Sequence, residues 1–492
     1  MALDQQRNWT ISMAENLDQI MRKKSSTTKS FRGVKEATTK HYGADEPKRH
    51  QKQRREEGAA WTTPPVYLPE EILIEILEYV ARSSESQQTL ASCCLLSHQW
   101  YSAAVPLLYA RPFISGHNYD PFARTIITSL NLKVRDSPLA KLIRGLNMAS
   151  LVHQGSKSST ARLLSRTKDN LEEFVAPVAT FGSNCLAPLA KCVQLRMLDL
   201  SLVSECPPLP ELFKAVSRLE RLKIFRLPRS SGFGVHYNPD SFTWPPNLED
   251  LTLSGGIDAH FLHGVVAFPQ TLRSLTIEHC PLAKGFAVTH LLKKAIRPLK
   301  NLQALKIRHM PRLSAHALDD VLFLLPQIRK LSISVDYITP AIFDEGHFHH
   351  FKGPLSELDE TTQPLPPEPL VHKLHTLELT NSGNPGVEDK ISPIDIMIAL
   401  DEGSVPNLRV VRVAQSLHWH SNATMSDTEA LADALLEASR RDWERGEGVF
   451  SGGEGRCGRL LMDGEGNAEG GEVVRPWEEV AGVWRFDDSV IR

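Results

Sequence analysis

The chain has 492 residues, of which 41% are hydrophobic and 23% charged, a composition typical of globular proteins with two or three domains. Its net charge of −2 excludes a protein that binds nucleic acid through overall charge, and no apolar run approaches the roughly 20 residues that span a bilayer. Seven cysteines without a CxxC pair, and a start without the pattern of a secretory signal, favour reduced thiols and a location in the cytoplasm, the nucleus or both.

Residues 1–60 are polar and charged with few apolar side chains, which predicts a disordered, basic segment. The segment contains the run KRHQKQRR at Lys48–Arg55. Such a run is either a solvated linker or a nuclear-import signal.

Residues 61–112 are predicted to form three short helices. The first begins near Leu68 and Pro69, because proline suits the first helical turn and Glu70 and Glu71 complement the positive end of the helix dipole. Apolar residues then recur at helical spacing, at Ile72, Leu73, Ile76, Leu77 and Val80. Three such helices make a very small core, so we expect a partner protein or the following domain to cover part of this apolar stripe.

An apolar-x-x-apolar-x-apolar pattern recurs within residues 113–420. Its clear copies are LRMLDL (Leu195–Leu200), LERLKI (Leu219–Ile224), LEDLTL (Leu248–Leu253), LRSLTI (Leu272–Ile277), LQALKI (Leu302–Ile307), IRKLSI (Ile328–Ile333), LHTLEL (Leu374–Leu379) and LRVVRV (Leu408–Val413), and weaker copies are IRGLNM (Ile143–Met148) and LEEFVA (Leu171–Ala176). A period mostly in the twenties is the signature of leucine-rich repeats. The Asn or Cys expected after each strand is met only by Cys280.

The spacing within each copy has a physical cause, because apolar residues two apart point to one face of a short strand. Helical stretches lie between copies, such as SAHALDDVLFLLP from Ser314 and VTHLLKKAIRPL from Val288. One strand–helix unit cannot bury its apolar face alone, so stacked units share a core. The predicted fold class is therefore α/β: a short three-helix segment followed by an irregular leucine-rich-repeat solenoid, with a curved parallel sheet and outer helices.

Three segments complete the predicted organisation. They are a proline-rich loop insertion at residues 340–371, an end-cap helix at residues 421–445 and a flexible, glycine-rich acidic tail at residues 446–492.

Polar side chains between the apolar positions are expected on the concave face of the sheet. We predict that a protein target binds there, at Arg221, Lys223, Lys306, Arg308 and Lys330. This basic set suits an acidic or phosphorylated peptide. The alternative interpretation is an ordinary solvated sheet face.

The sequence offers little support for catalysis. GEGRCG at Gly453–Gly458 has the glycine spacing of a dinucleotide-binding loop but lacks the strand and helix around it. HFHH at His347–His350 would make a zinc enzyme the alternative, but no cysteine or second histidine pair is close in sequence, which favours surface histidines. We predict a non-enzymatic protein that binds protein partners, without a metal, a cofactor, nucleic acid or a membrane.

The segment Leu68–Tyr109 resembles an F-box. That family opens with Leu-Pro-x-Glu-Ile-Leu, matched here by Leu68, Pro69 and the run Glu71–Leu73, and later has a hydrophobic-Ser-x-x-Trp element, matched by the run Leu96–Trp100. With the repeats that follow, the whole chain is similar to fungal-type F-box/leucine-rich-repeat proteins.

The resemblance implies a function. In that family the F-box docks onto a Skp-type adaptor, which joins a cullin scaffold, and the chain would be a substrate-recognition subunit of an SCF-type cullin–RING ubiquitin ligase. The implied adaptor-binding residues are Leu68, Pro69, Ile72, Leu73, Ile76, Leu77, Leu96 and Trp100. Trp100 can instead belong to the core of the helical segment. The alternative function is a leucine-rich-repeat interaction scaffold that acts outside ubiquitin transfer.

Overall fold

In a computed structural model of the protein, the structure describes residues 68–83, 86–127, 137–445 and 481–486, without 153, 231, 234–236, 239–241, 265–266, 345–371, 383–389, 420 and 422–423. The chain forms two compact units, Met1–Gly145 and Leu146–Arg492. The basic run at Lys48–Arg55, the histidines His347–His350 and the GEGRCG segment lie outside the described residues, as do most of the predicted insertion and tail. Across the described ranges, no helix has the length and apolar character needed to cross a membrane.

The first unit contains the predicted helices. They are α1 (Glu70–Ala81), α2 (Ser86–Cys93) and α3 (His98–Ala110), followed by α4 (Tyr119–Ile126) and a 3-10 segment at Pro138–Leu142. Pro69 is the N-cap residue of α1, and Ser97 caps α3 by accepting a hydrogen bond from the Trp100 backbone N–H at 3.3 Å.

These helices share one small core. Leu73 and Leu77 of α1 are 0% exposed, and they pack with Leu90 of α2 and Ala104 of α3. Trp100 is partly buried against the same core. The core therefore uses only one side of the apolar stripe that the sequence shows on α1.

The second unit is built on a parallel sheet of 11 strands in the described part of the chain, ordered in space as they are in sequence. The strands are β1 (Gly145–Asn147), β2 (Glu173–Val175), β3 (Met197–Asp199), β4 (Ile224–Arg226), β5 (Asp250–Leu253), β6 (Ser274–Glu278), β7 (Ala304–Arg308), β8 (Lys330–Ser334), β9 (Thr376–Thr380), β10 (Val410–Ala414) and β11 (Gly482–Phe486). The α/β fold class is confirmed. That the repeats are of the leucine-rich type stays a prediction.

Helices connect most of the strands and cover the apolar face of the sheet. They are α5 (Lys157–Thr167), α6 (Leu186–Leu189), α7 (Leu209–Val216), α8 (Ala259–Gly264), α9 (Gly285–Leu291), α10 (Val321–Leu324), α11 (Pro393–Asp401) and α12 (Met425–Glu444). The helix expected from Ser314 is reduced to α10. His316 has φ 65°, a left-handed conformation that a right-handed helix excludes, so no helix can run from Ser314 through this residue.

The sequence motif is displaced at β4. Leu198 of β3 lies opposite Phe225, and Phe225 lies opposite Leu251 of β5. The copy in register is therefore LKIFRL at Leu222–Leu227, three residues later than the predicted LERLKI. Both registers, LERLKI and LKIFRL, place apolar residues at the spacing of the motif, and only pairing with the neighbouring strands selects the second.

Side-chain hydrogen bonds link successive repeats at both ends of the strands. Directly before the first apolar residue of a copy, an amide or hydroxyl donates to a backbone carbonyl of the preceding repeat, as at Asn247, Thr271, Asn301, Gln327 and Asn407. After the strands, Ser204, Ser230, Ser254 and Cys280 make similar bonds. Serine hydroxyls thus take the role that the sequence showed only for Cys280, because they donate to backbone carbonyls of the preceding repeat as the Cys280 thiol does.

One part of the predicted flexible tail, residues 481–486, lies among the described residues and contains a strand. Residues Gly482–Phe486 form β11, which pairs in parallel with β10 from Val410 to Ala414. Before it, α12 buries Leu431 and Leu435 and is tied to the sheet by Arg409, whose Nη2 lies 2.7 Å from Asp442. A helix lies where the end-cap helix was predicted, and a further strand follows it.

Candidate functional site

Helix α1 has two apolar faces, one buried in the core and one exposed. Leu73 and Leu77 are fully buried, whereas Ile72 is 45% exposed, Ile76 is 41% exposed and Tyr79 is 77% exposed. The three exposed residues follow the i, i+4, i+7 spacing of a single helix face. The structure therefore leaves a stripe of large apolar side chains uncovered beside a complete core.

Further large apolar side chains are exposed directly before α3. The Gln99 side chain donates a hydrogen bond to the Leu68 carbonyl at 2.8 Å, which holds the first turn of α3 beside the start of α1. Leu96, which is 65% exposed, comes directly before Ser97, the N-cap residue of α3. We call Ile72, Ile76, Tyr79 and Leu96, with the neighbouring exposed Leu95, the apolar patch.

On the sheet, the polar side chains form rows that run across the strands. One row, from β4 to β11, reads Arg226, Thr252, Thr276, Lys306, Ser332, Glu378, Arg412 and Trp484. Residues two positions away along each strand share this face, which we call the polar face.

A buried ion-pair network lies on the polar face at β7 to β9. Arg308 contacts the Glu378 carboxylate and also donates to the Ser332 hydroxyl at 2.9 Å and 3.1 Å. Lys330 Nζ lies 3.3 Å from the second oxygen of Glu378. Burial alone raises the pKa of Glu378, but Arg308, Lys330, Lys306 and the Ser332 hydrogen bond outweigh burial and hold that pKa below its ordinary value.

Two predicted target-binding residues lie away from this network. Arg221 and Lys223 precede β4 because the motif there is displaced by three residues. Arg221 bonds to the Gln194 side chain, and Lys223 lies 2.7 Å from Glu249. The prediction that they share the polar face with Lys306 is wrong, and Arg226 occupies that position instead, where it pairs with Asp199 at 2.8 Å.

Within the described part of the chain, no three His, Cys, Asp or Glu side chains are grouped closely enough to hold a metal ion. The sites that the structure offers are an apolar patch on the helical unit and a charged sheet face.

Residues 66–115 match the F-box-like family. The chain therefore carries an F-box-like domain in its N-terminal part. It is 31% identical over 354 residues to the F-box protein YDR306C of Saccharomyces cerevisiae, an alignment that covers 71% of this chain. It is also 29% identical over 327 residues to the protein pof5 of Schizosaccharomyces pombe, which covers 66% of this chain and 83% of that protein. The aligned region spans 66% of the Saccharomyces cerevisiae protein, just under two thirds of its length.

The structure divides the implied adaptor-binding residues of the F-box-like domain into two groups. Leu73 and Leu77 are core residues, so their assignment as contact residues is wrong: in the folded domain they are enclosed by α2 and α3. Trp100 is partly buried against that core, and Leu68 is half-buried. Pro69, Ile72, Ile76 and Leu96 are exposed and remain available to a partner.

Sequence reasoning missed two members of the apolar patch. Tyr79 lies three residues after Ile76 and continues the exposed face, and Leu95 precedes the matched Leu96. Helical spacing from Ile72 could have identified Tyr79. No sequence signal distinguishes Leu95 from a core residue.

Proposed function

We propose that this chain is an F-box protein that serves as the substrate-recognition subunit of an SCF-type cullin–RING ubiquitin ligase. Its F-box-like domain binds a Skp-type adaptor, and through the adaptor a cullin scaffold, while its repeat sheet binds a protein target. The chain itself performs no catalytic step, since its role is to position a target for transfer by other subunits.

The observation that carries the proposal is the apolar patch. Ile72, Ile76 and Leu96 stay about half exposed although the domain has a complete core of its own. Burying a side chain of this kind fully is worth roughly 1.5–3 kcal/mol, so covering the remaining half of each gives about 1 kcal/mol. Exposed apolar side chains grouped on one surface are typical of protein–protein contacts.

The test is adaptor binding by paired variants of α1. We expect Ile72→Asp with Ile76→Asp to abolish co-purification of the Skp-type adaptor, because both charges would be desolvated in the interface. Ile74→Asp is the matched control. Ile74 is 39% exposed and faces the opposite side of the same helix, so this change should leave binding intact.

Two outcomes would contradict the docking assignment. If the double variant still co-purifies with the adaptor to the same extent, the apolar patch does not contact the adaptor. Equal loss by Ile74→Asp would indicate damage to the helix instead of a contact.

The ligase role has its own measurement. Depletion of the chain should raise the level and lower the ubiquitination of at least one protein. If the adaptor binds but no protein responds, the chain acts as an interaction scaffold outside ubiquitin transfer.

A further inference from the structure

The polar face carries an excess of positive charge on four adjacent strands. Lys306 and Arg308 of β7, Lys330 of β8 and Arg412 of β10 lie around one carboxylate, Glu378 of β9. We call these five residues the cationic strip. Four cations and one carboxylate give it a formal charge of +3.

Only part of this charge is neutralised within the strip. Glu378 is shared by Arg308 and by Lys330, and the Arg308 and Glu378 side chains are 9% and 8% exposed. Neither Lys306 nor Arg412 has a carboxylate within 4.0 Å among the residues that the structure describes. Two acidic side chains of the preceding strands, Asp250 of β5 and Glu278 of β6, lie on the same face outside the strip, and Asp250 raises the pKa of Lys306.

The surroundings of Lys306 are short of negative charge. Burial lowers the pKa of Lys306, and the positive charges of Lys330 and Arg308 lower it further, against the opposing effects of Glu378 and Asp250. An added anion would relieve this repulsion.

The separation of Lys306 and Arg412 sets the spacing of the two negative charges that a bound segment would present. Lys306 and Arg412 lie in one row of the sheet, separated by Ser332 and Glu378 on the intervening strands. Neighbouring strands are about 4.8 Å apart, so three steps span about 14 Å. An extended peptide advances about 3.3–3.4 Å per residue, so about four residues cover that distance.

The chemistry of the strip favours carboxylates over a phosphoryl group. Phosphorylated motifs are typically recognised by clusters of arginines, whose planar forks bind phosphate through two hydrogen bonds. The Arg308 fork is already occupied by Glu378 and Ser332 and is nearly covered. Arg412 is the one exposed arginine of the strip, and Lys306 is a partly exposed lysine, so each offers a single positive charge to one carboxylate.

We propose that the cationic strip binds an extended acidic segment of the target protein, with one Asp or Glu side chain on Lys306 and a second, about four residues away, on Arg412. The proposal rests on the proposed function, because it names the class of segment that the substrate receptor captures. The exposed Trp484, which lies opposite Arg412 in the register, offers an aromatic surface to the residue after the second acid.

The test uses the full chain and fluorescent peptides of neutral background with two glutamates at different separations. We expect the peptide with an i, i+4 pair to bind tightest, and its affinity to fall with added salt. Lys306→Gln and Arg412→Gln should each weaken binding about tenfold, as expected for loss of one close charge pair. Lys294→Gln is the control, since Lys294 is an exposed lysine outside the sheet.

Three results would overturn the proposal. They are the absence of binding by every acidic peptide, equal binding by the Lys306, Arg412 and Lys294 variants, and binding that requires phosphothreonine in place of glutamate. The same variants are tested for adaptor co-purification. If the variants lose peptide binding but retain the adaptor, the acidic-segment proposal is supported. If the chain binds the peptide but captures no adaptor, the ligase proposal is refuted and the acidic-segment proposal stands.

Discussion

Replacement of Leu73 by alanine separates a core residue from a docking residue. Leu73 is 0% exposed and packs inside the F-box-like domain, so its truncation leaves a cavity. A buried Leu→Ala change costs about 2–5 kcal/mol. Since about 1.36 kcal/mol corresponds to a tenfold change in an equilibrium constant, local opening of the domain should rise roughly thirty-fold to several thousand-fold.

The assay is hydrogen–deuterium exchange of the full chain, followed in peptides from α2 and α3. Exchange there should accelerate by that factor in Leu73→Ala, while peptides from the sheet should stay unchanged. Ile76→Ala is the matched control. Its side chain is 41% exposed, so exchange should change by less than about threefold while adaptor binding weakens. If Leu73→Ala loses the adaptor without faster exchange, Leu73 is a contact residue and the division of α1 into two faces is refuted.

Three further changes probe the sheet. Glu378→Gln should lower the free energy of unfolding by about 3 kcal/mol in denaturant titrations, because it leaves Arg308 buried without its charge partner; a loss below about 1 kcal/mol would mean that the pair is solvated. The pKa of Glu378 is lowered in the folded state, so the ionised side chain contributes to the free energy of unfolding above its unfolded pKa of about 4.3, and this contribution is lost as the pH falls through the folded-state pKa. In this acid range the wild type should therefore lose stability more steeply than Glu378→Gln. Asn407→Ala should lower the free energy of unfolding by about 1 kcal/mol, since the His372 carbonyl loses its side-chain donor. An unchanged denaturation midpoint would mean that this hydrogen bond does not stabilise the fold. A chain ending at Ala481 lacks β11 and makes β10, with the β-branched residues Val410, Val411 and Val413, the edge strand in place of β11, so light scattering should show more concentration-dependent association than for the intact chain; equal association by the two chains would contradict this.

Local patterns in the sequence were sufficient for the existence of ten of the eleven described strands and of the helical unit, although β4 lies three residues later than predicted and β11 was not predicted. Apolar residues two apart predicted which strand residues are buried, as at Leu251 and Leu253, because a strand repeats every two residues. The F-box resemblance of Leu68–Tyr109 agrees with the family match to residues 66–115.

The tertiary structure decided what local patterns leave equivalent. Ile72 and Leu73 are both apolar at helical spacing, and only packing against α2 and α3 decides that Leu73 is buried and Ile72 is exposed. Leucines fit the repeat at Leu219 and at Leu222, and pairing with β3 and β5 selects the second. Arg308 and Glu378 are 70 residues apart in sequence, and they form an ion pair because β7 and β9 both pair with β8, which brings their side chains together on one face of the sheet. A sequence specifies local periodicity directly, whereas burial and charge pairing depend on which distant segments the folded chain brings together.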